Sequence, residues 1–213
     1  MSDKLYNEIY NEKSEPWFIG IVAENGQAKY SVALEEVYKL RNDVYGKLSW
    51  GEAGHDEYDD HSAVFAAIYG DHEKQCAEIV MTVRIIINSP LPLEHDFQNV
   101  ILEHEKAEVS RFVGNPQISL FSKEVSIYKN KTEMARGILL TKMQNYAYRI
   151  NHYAYGIIEE KLSIHLQRIG ISLKFLSESK ALAEYNNTIN YLAQFRTNPP
   201  LIPHIKTEEF YKL

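Results

Sequence analysis

Six residues, Ala107-Glu108-Val109-Ser110-Arg111-Phe112, put a carboxylate and a guanidinium three positions apart in a run that alternates apolar and polar side chains. Read as a strand of period two, the run sets Glu108 and Ser110 on one face and Val109 and Arg111 on the other, unless a bulge re-aims one of them. A carboxylate so placed can accept a proton or orient a cation. The alternative is a pair of solvated charges at a sheet edge. Arg84 poses the sharper question, because it lies among Val83, Ile85, Ile86 and Ile87. A guanidinium is costly there unless it reaches water or finds an acid. Asp56 and Asp59, within Asp56-Glu57-Tyr58-Asp59-Asp60, offer that acid. In a loop they can pair with Arg84 or Arg111 and anchor the acidic N-terminal part of the chain to the sheet. The same charges read equally well as a network that only fixes the fold.

Other chemistries fit poorly. His55, Asp56, Asp59, Asp60 and His61 match neither an EF-hand nor a His-x-x-x-His spacing, so no resident metal is expected. There is no Gly-x-Ser-x-Gly elbow, and the one cysteine, Cys76, permits neither a disulfide nor a cysteine-based metal site. The net charge of −6 is uneven. Residues 1–60 hold 13 acids against 6 bases, whereas the rest of the chain is near neutral. With no basic excess and no aromatic-basic repeat, nucleic acid is not an expected partner. Within 129–149, Lys129, Lys131, Arg136, Lys142 and Arg149 face Glu133 alone, a local +4 that could meet an acidic partner or a phosphate, or could be a solvated helix face.

At 213 residues and 45% hydrophobic content, the chain suits one large domain. Its longest apolar stretches, 79–87 and 63–69, fall well short of the roughly 18–20 residues of a membrane span. The polar start Met1-Ser2-Asp3-Lys4 is no signal peptide, so a soluble cytoplasmic protein is expected.

The elements that must position these residues follow from periodicity. Leu5, Tyr6, Ile9 and Tyr10 suggest a short amphipathic helix within the first 13 residues. A strand over 17–23 ends at the Asn25-Gly26 turn, and a helix runs from about 29 to Gly46. Strands over 62–69 and 77–87, joined by the polar turn 70–76, have the layout of an antiparallel hairpin. A loop or short helix at 93–105 leads to the strand at 106–113, stopped by Gly114-Asn115-Pro116. The helix at 132–150 carries Met134, Ile138, Leu139, Met143, Tyr146 and Ala147 on one stripe. A strand at 152–158, a helix at 159–168 and a strand at 171–176 make a β-α-β unit, and 187–196 adds a last strand. The result is an α/β domain whose sheet mixes early antiparallel hairpins with later crossovers.

Taken in order, Arg41-x-x-Val44-Tyr45, Trp50, Asp56-x-x-Asp59, Arg84, Phe97 and Glu108-x-Ser110-Arg111-Phe112 resemble the acyl-homoserine-lactone synthases, the autoinducer synthases of bacterial quorum sensing. The resemblance spans about residues 30–180 and implies the three-layer αβα fold of GNAT-like acyltransferases, with a mixed, partly antiparallel central sheet. It implies one domain over 1–213, with 1–60 as a substrate cap, 61–113 as antiparallel strands and 132–198 as the β-α-β part. It implies transfer of a fatty acyl group from an acyl-carrier protein or acyl-CoA thioester to the amine of S-adenosylmethionine, followed by lactonisation, with no tightly bound cofactor.

On that reading Glu108 and Arg111 are the catalytic candidates. Glu108 accepts or orients the ammonium proton, since an α-amino group of pKa about 7.7–8.0 must be neutral to attack. Arg41, Tyr45, Trp50, Asp56, Asp59, Arg84, Phe97, Ser110 and Phe112 are candidates for substrate contact. Lys129, Lys131, Arg136 and Lys142 would dock the acyl carrier. Arg136-Gly137 is at best a remnant of the GNAT pyrophosphate loop. The N-acyl amino acid synthases share the arginine, aspartate and Glu-x-x-Arg features on the same fold, so a free amino acid is the alternative acceptor. A non-catalytic ligand-binding module is a third reading. Met134, Ile138, Met143 and Phe175 could line an acyl pocket or equally form core.

Overall fold

The computed structural model describes residues 1–10, 15–47, 54–87, 90–96, 102, 104–110, 112–115, 125–159, 163–164, 167, 173–179 and 190–195. Trp50, Phe97 and Arg111 lie outside them, as do most of the helix expected at 159–168 and the side chains of Lys129, Lys131 and Met134. The chain folds as two compact units, one formed by Met1–Arg84 with Phe112–Leu139, the other by Ile85–Arg111 with Leu140–His204.

In the first unit, α1 (Asp3–Tyr10) buries Leu5, Ile9 and Tyr10, the apolar spacing of its sequence. Strand β1 (Trp17–Glu24) turns at Asn25-Gly26 into β2 (Gln27–Ala28). Both turn residues have positive φ, 51° and 72°, the conformation that an Asn-Gly hairpin turn demands. Helix α2 (Ser31–Lys47) follows. Its start is capped from outside: the Glu8 carboxylate of α1 accepts the N–H groups of Val32 at 2.9 Å and Ala33 at 2.8 Å. A 3₁₀ turn at Asp59–His61 leads into β3 (Ser62–Asp71), which pairs antiparallel with β1. β4 (Cys76–Ile86) is hydrogen-bonded beside β3. Only four residues separate the two strands, which forces an antiparallel turn. Asp71 accepts the N–H groups of Glu73 and Lys74 in that turn, each at 3.1 Å. β3 and β4 are buried along almost their whole length, which is why both read as continuous apolar runs rather than alternating ones.

In the second unit, the end of β4 pairs with β5 (Lys106–Val109), and the strand order continues β5-β7-β9-β8. α3 (Pro92–Asp96) precedes β5. The long helix α4 (Val125–Arg149) begins seven residues earlier than periodicity suggested and hands over to β7 (Tyr153–Glu159) through a tight turn at Asn151, φ 58°. β5 and β7 are parallel; β9 (Asn190–Phe195) is antiparallel to both β7 and β8 (Leu173–Ser179). The strands of the expected β-α-β unit are therefore not neighbours, because β9 is inserted between them. The fold is α/β with a mixed sheet, mostly antiparallel.

The strand expected to run unbroken over 106–113 is two strands. β5 pairs with Ile85 and Ile86, whereas β6 (Val113–Gly114) pairs with Met81 and Thr82. Between Val109 and Val113 the chain has three residues against two of β4, so the ladder slips by one position. Ser110 and Phe112, both half-buried, fall in this break and not in a strand, so the two-face alternation read through Ser110 stops at Val109.

Candidate active site

The first unit gathers four of the predicted charges into one cluster. Arg41, on α2, is 4% exposed and donates from Nη1 to Asp59 Oδ1 at 2.9 Å. Arg84, on β4, donates from Nη1 and Nη2 to the two oxygens of Asp56, both at 2.6 Å, and Nη1 is 2.9 Å from Asp59 Oδ1. Arg41 Nη2 lies 4.0 Å from Asp56 Oδ2. Two guanidinium groups thus face two carboxylates, and the buried charge sums to zero, with Asp59 2% exposed. The acid for Arg84 is the Asp-x-x-Asp loop.

Local folding makes the two aspartates converge. Asp56 Oδ1 accepts the N–H of Tyr58 at 2.9 Å, and Asp59 Oδ2 accepts the N–H of Asp56 at 3.0 Å. A spacing of three is one turn of a 3₁₀ helix, so residues 56 and 59 share a side. Burial would raise the Asp56 carboxyl, but the hydrogen bonds and charge of Arg84, with the charge of Arg41, hold it below its ordinary value. Burial acts to lower the Arg84 guanidinium, and Asp56 and Asp59 override it upward.

Three residues of this site were not singled out from the sequence. Tyr38 and Asn42 lie at i−3 and i+1 from Arg41, on its side of α2. The Arg41 guanidinium is 5.8 Å from the Tyr38 ring centroid, and burial, then the Asp59 charge, push the Tyr38 phenol up to about 12. Gly54 donates its N–H to Asn42 Oδ1, and a Cβ at Gly54 would stand 2.0 Å from the Tyr38 carbonyl oxygen. The signal for them was the spacing from Arg41 and a glycine just before the acidic pair. Tyr45, one helical turn further along α2, is half-buried.

In the second unit, Glu108 is half-buried on β5 and its Oε2 accepts the N–H of Leu93 at 2.8 Å, in the first turn of α3. Glu94 Oε2 accepts the N–H of Leu91 at 2.7 Å, the back-reaching half of a capping box, and Glu94 Oε1 meets Lys106 Nζ. Lys106 and Glu108, on one face of β5, therefore both hold the start of α3. This tie was invisible in the sequence. Within β7 and β9, Tyr155 and Gln194 are 1% and 8% exposed, and Gln194 Nε2 donates to the Tyr155 hydroxyl at 3.3 Å. Gln144, on α4, is 3% exposed, and neither its Oε1 nor its Nε2 has a partner.

The basic residues at 129–142 do not form one stripe. At 100° per residue, positions 129 and 136 share one side of α4 and positions 131 and 142 lie on another. Arg136 is half-buried and Lys142 exposed. Of the suggested acyl-pocket residues, Ile138 and Met143 are buried and Phe175 is 42% exposed. Among the described residues no group of His, Cys, Asp and Glu could hold a metal, and no helix is long and apolar enough to cross a membrane.

No protein-family model and no curated protein sequence matches the chain. Solved structures do. The chain is similar to MesI, a CoA-dependent acyl-homoserine lactone synthase, at 16% identity and a TM-score of 0.59, over 86% of this chain and 90% of that one. It is similar to the CoA-dependent acyl-homoserine lactone synthase BjaI with SAM and isopentyl-CoA, at 15% identity and a TM-score of 0.59, over 85% of each. TofI, in a ternary complex with an inhibitor and MTA, gives 15% identity and a TM-score of 0.57, over 86% of this chain and 92% of that one. The chain has the fold of the acyl-homoserine lactone synthases.

Proposed function

We propose that the protein is an N-acyltransferase that moves a fatty acyl group from a CoA or acyl-carrier thioester to the amine of S-adenosylmethionine and releases an acyl-homoserine lactone. The observation that carries this reading is Glu108: a half-buried carboxylate on a strand, fixed by the Leu93 N–H, in the fold shared with MesI and BjaI. The SAM and isopentyl-CoA named for BjaI support the choice of acceptor and of a thioester donor.

The chemistry assigns Glu108 a defined task. A carboxylate has about four lone-pair sites, so one hydrogen bond from Leu93 fixes it without exhausting its capacity. It takes a proton from the substrate ammonium, directly or through water, and the freed amine attacks the thioester carbon. The N–C bond forms, the C–S bond breaks, and the thiol leaves with a proton. In the second step the substrate's own carboxylate attacks the carbon bearing the sulfonium, and that C–S bond breaks to release MTA. This step needs positioning more than proton transfer. The Arg41–Asp59–Arg84–Asp56 cluster ties α2 and the 54–61 loop to β4, which holds the N-terminal cap region in a fixed place.

The test is product analysis by mass after incubation of the protein with acyl-CoA and acyl-carrier thioesters and either S-adenosylmethionine or free amino acids. Acyl-homoserine lactone with stoichiometric MTA is expected. Acylated amino acids in place of the lactone would replace this reading with that of an N-acyl amino acid synthase. Glu108→Gln keeps an oxygen for the Leu93 N–H but cannot take a proton, and should lower turnover about 10²–10⁴-fold at neutral pH. Full turnover in that variant would remove Glu108 from the proton transfer.

A further inference from the structure

The ladders of the second unit put Glu108, Tyr155 and Gln194 in one row. Glu108 of β5 is the register partner of Tyr155 of β7, and Tyr155 is the register partner of Gln194 of β9. Register partners share a face, with side chains close enough to interact. A tyrosine 1% exposed, bonded to a glutamine 8% exposed, is an expensive way to fill a sheet face. Phenylalanine and leucine would pack there without desolvating a hydroxyl and an amide.

The direction of the Tyr155–Gln194 bond matters. Gln194 Nε2 is the donor, so the Tyr155 oxygen accepts and its own proton is turned away from that nitrogen. The flanking residues of β7 on this face, Tyr153 and Ile157, carry no carboxylate. Across the ladder, Glu108 does. We propose that Tyr155, held by Gln194, is a positioning residue that donates its hydroxyl, directly or through one water, to the Glu108 carboxylate. Glu108 is then fixed from two sides, by the Leu93 N–H of α3 and by the Tyr155 O–H of β7. The other charged groups facing this part of β5 are Lys106 on the same strand and Glu94 on α3, which meet each other; β4 contributes the apolar Ile86. Two donors favour the ionised carboxylate, the form that accepts an ammonium proton.

The catalytic meaning of this contact rests on the acyltransferase reading; the contact itself does not, and the two are tested separately. In protein without substrate, the Glu108 side-chain carboxyl is titrated by carbon-13 NMR in wild type and in Tyr155→Phe. Removing one hydrogen bond worth about 1 kcal/mol should move the midpoint about 0.5–1 unit to higher pH. In turnover, the acidic limb of the kcat/KM profile should move the same way, with kcat lowered and KM for the thioester little changed. A purely structural Tyr155 would alter stability and leave both profiles in place. If the lone amide of Gln194 prevents Tyr155→Phe from folding, Tyr155→Phe/Gln194→Leu removes that donor as well and carries the same expectation. A shifted titration in a protein without acyltransferase activity upholds the contact and rejects the proposed function. An unshifted titration in either variant overturns the proposal.

Discussion

Replacing Arg84 by methionine isolates the buried charge cluster. The substitution keeps an unbranched side chain on β4 and removes both 2.6 Å bonds to Asp56 and the 2.9 Å contact to Asp59. Arg41 then faces two carboxylates alone, and one buried negative charge is left uncompensated. Breaking a buried ion pair from one side costs roughly 3–5 kcal/mol. Because Arg41 still holds Asp59 at 2.9 Å, the lower end applies, about 3 kcal/mol. For a chain of this size that is a fall in Tm of about 6–12 °C. The assay is urea unfolding at pH 7 of wild type, Arg84→Met, Asp56→Asn and the double variant. The cycle should give a coupling energy of about 2–3 kcal/mol for two hydrogen bonds between charged groups, largely retained in 1 M salt. Acid should reproduce the loss. The Asp56 carboxyl sits below its ordinary value of 3.8 in the folded protein, so its stabilisation is present above pH 3.8 and disappears as pH falls through the lowered folded value. A coupling below about 0.5 kcal/mol, erased by salt, would place the cluster among ordinary surface pairs and refute the reasoning.

Gly54→Ala should destabilise the protein by several kcal/mol, because its Cβ would meet backbone at 2.0 Å, and chemical denaturation that finds it neutral would refute the close approach. Tyr38 should ionise near pH 12, seen as a late phase in the ultraviolet tyrosine titration that is missing in Tyr38→Phe. Since the folded value is raised above 10.0, its stabilisation is complete below pH 10 and is lost as pH rises towards 12. Gln144→Leu should raise stability by about 1–2 kcal/mol by removing a buried amide with both polar atoms unpartnered, measured by thermal unfolding; a loss of more than 1 kcal/mol would mean the amide is satisfied in solution.

Much of the fold was legible because its signals are local. The apolar runs of β3 and β4, the Asn25-Gly26 turn and the stripe of α4 each declare an element within a dozen residues. The charge cluster was legible for a related reason: Arg84 amid valine and isoleucine demands an acid, and Asp-x-x-Asp supplies one. What stayed hidden depends on partners distant in sequence. The slip between β5 and β6 exists only relative to β4, so no reading of 106–113 alone could reveal it. The insertion of β9 between β7 and β8 is a matter of strand order, which periodicity does not encode. Glu108 looked like a residue with one task, but its hold on Leu93 spans 15 residues of chain and appears only once α3 is seated. Tyr155 and Gln194 were passed over because each is ordinary within its own strand.

The cap that Glu8 places on α2 has a kinetic consequence. The first amides of a helix have no intrahelical acceptor and normally exchange with solvent as the end frays. Here the Val32 and Ala33 amides are held by a carboxylate more than twenty residues upstream. Their exchange therefore reports the undocking of α1 rather than the fraying of α2. Two adjacent protons thus measure, in the intact protein, how often the N-terminal helix lifts away.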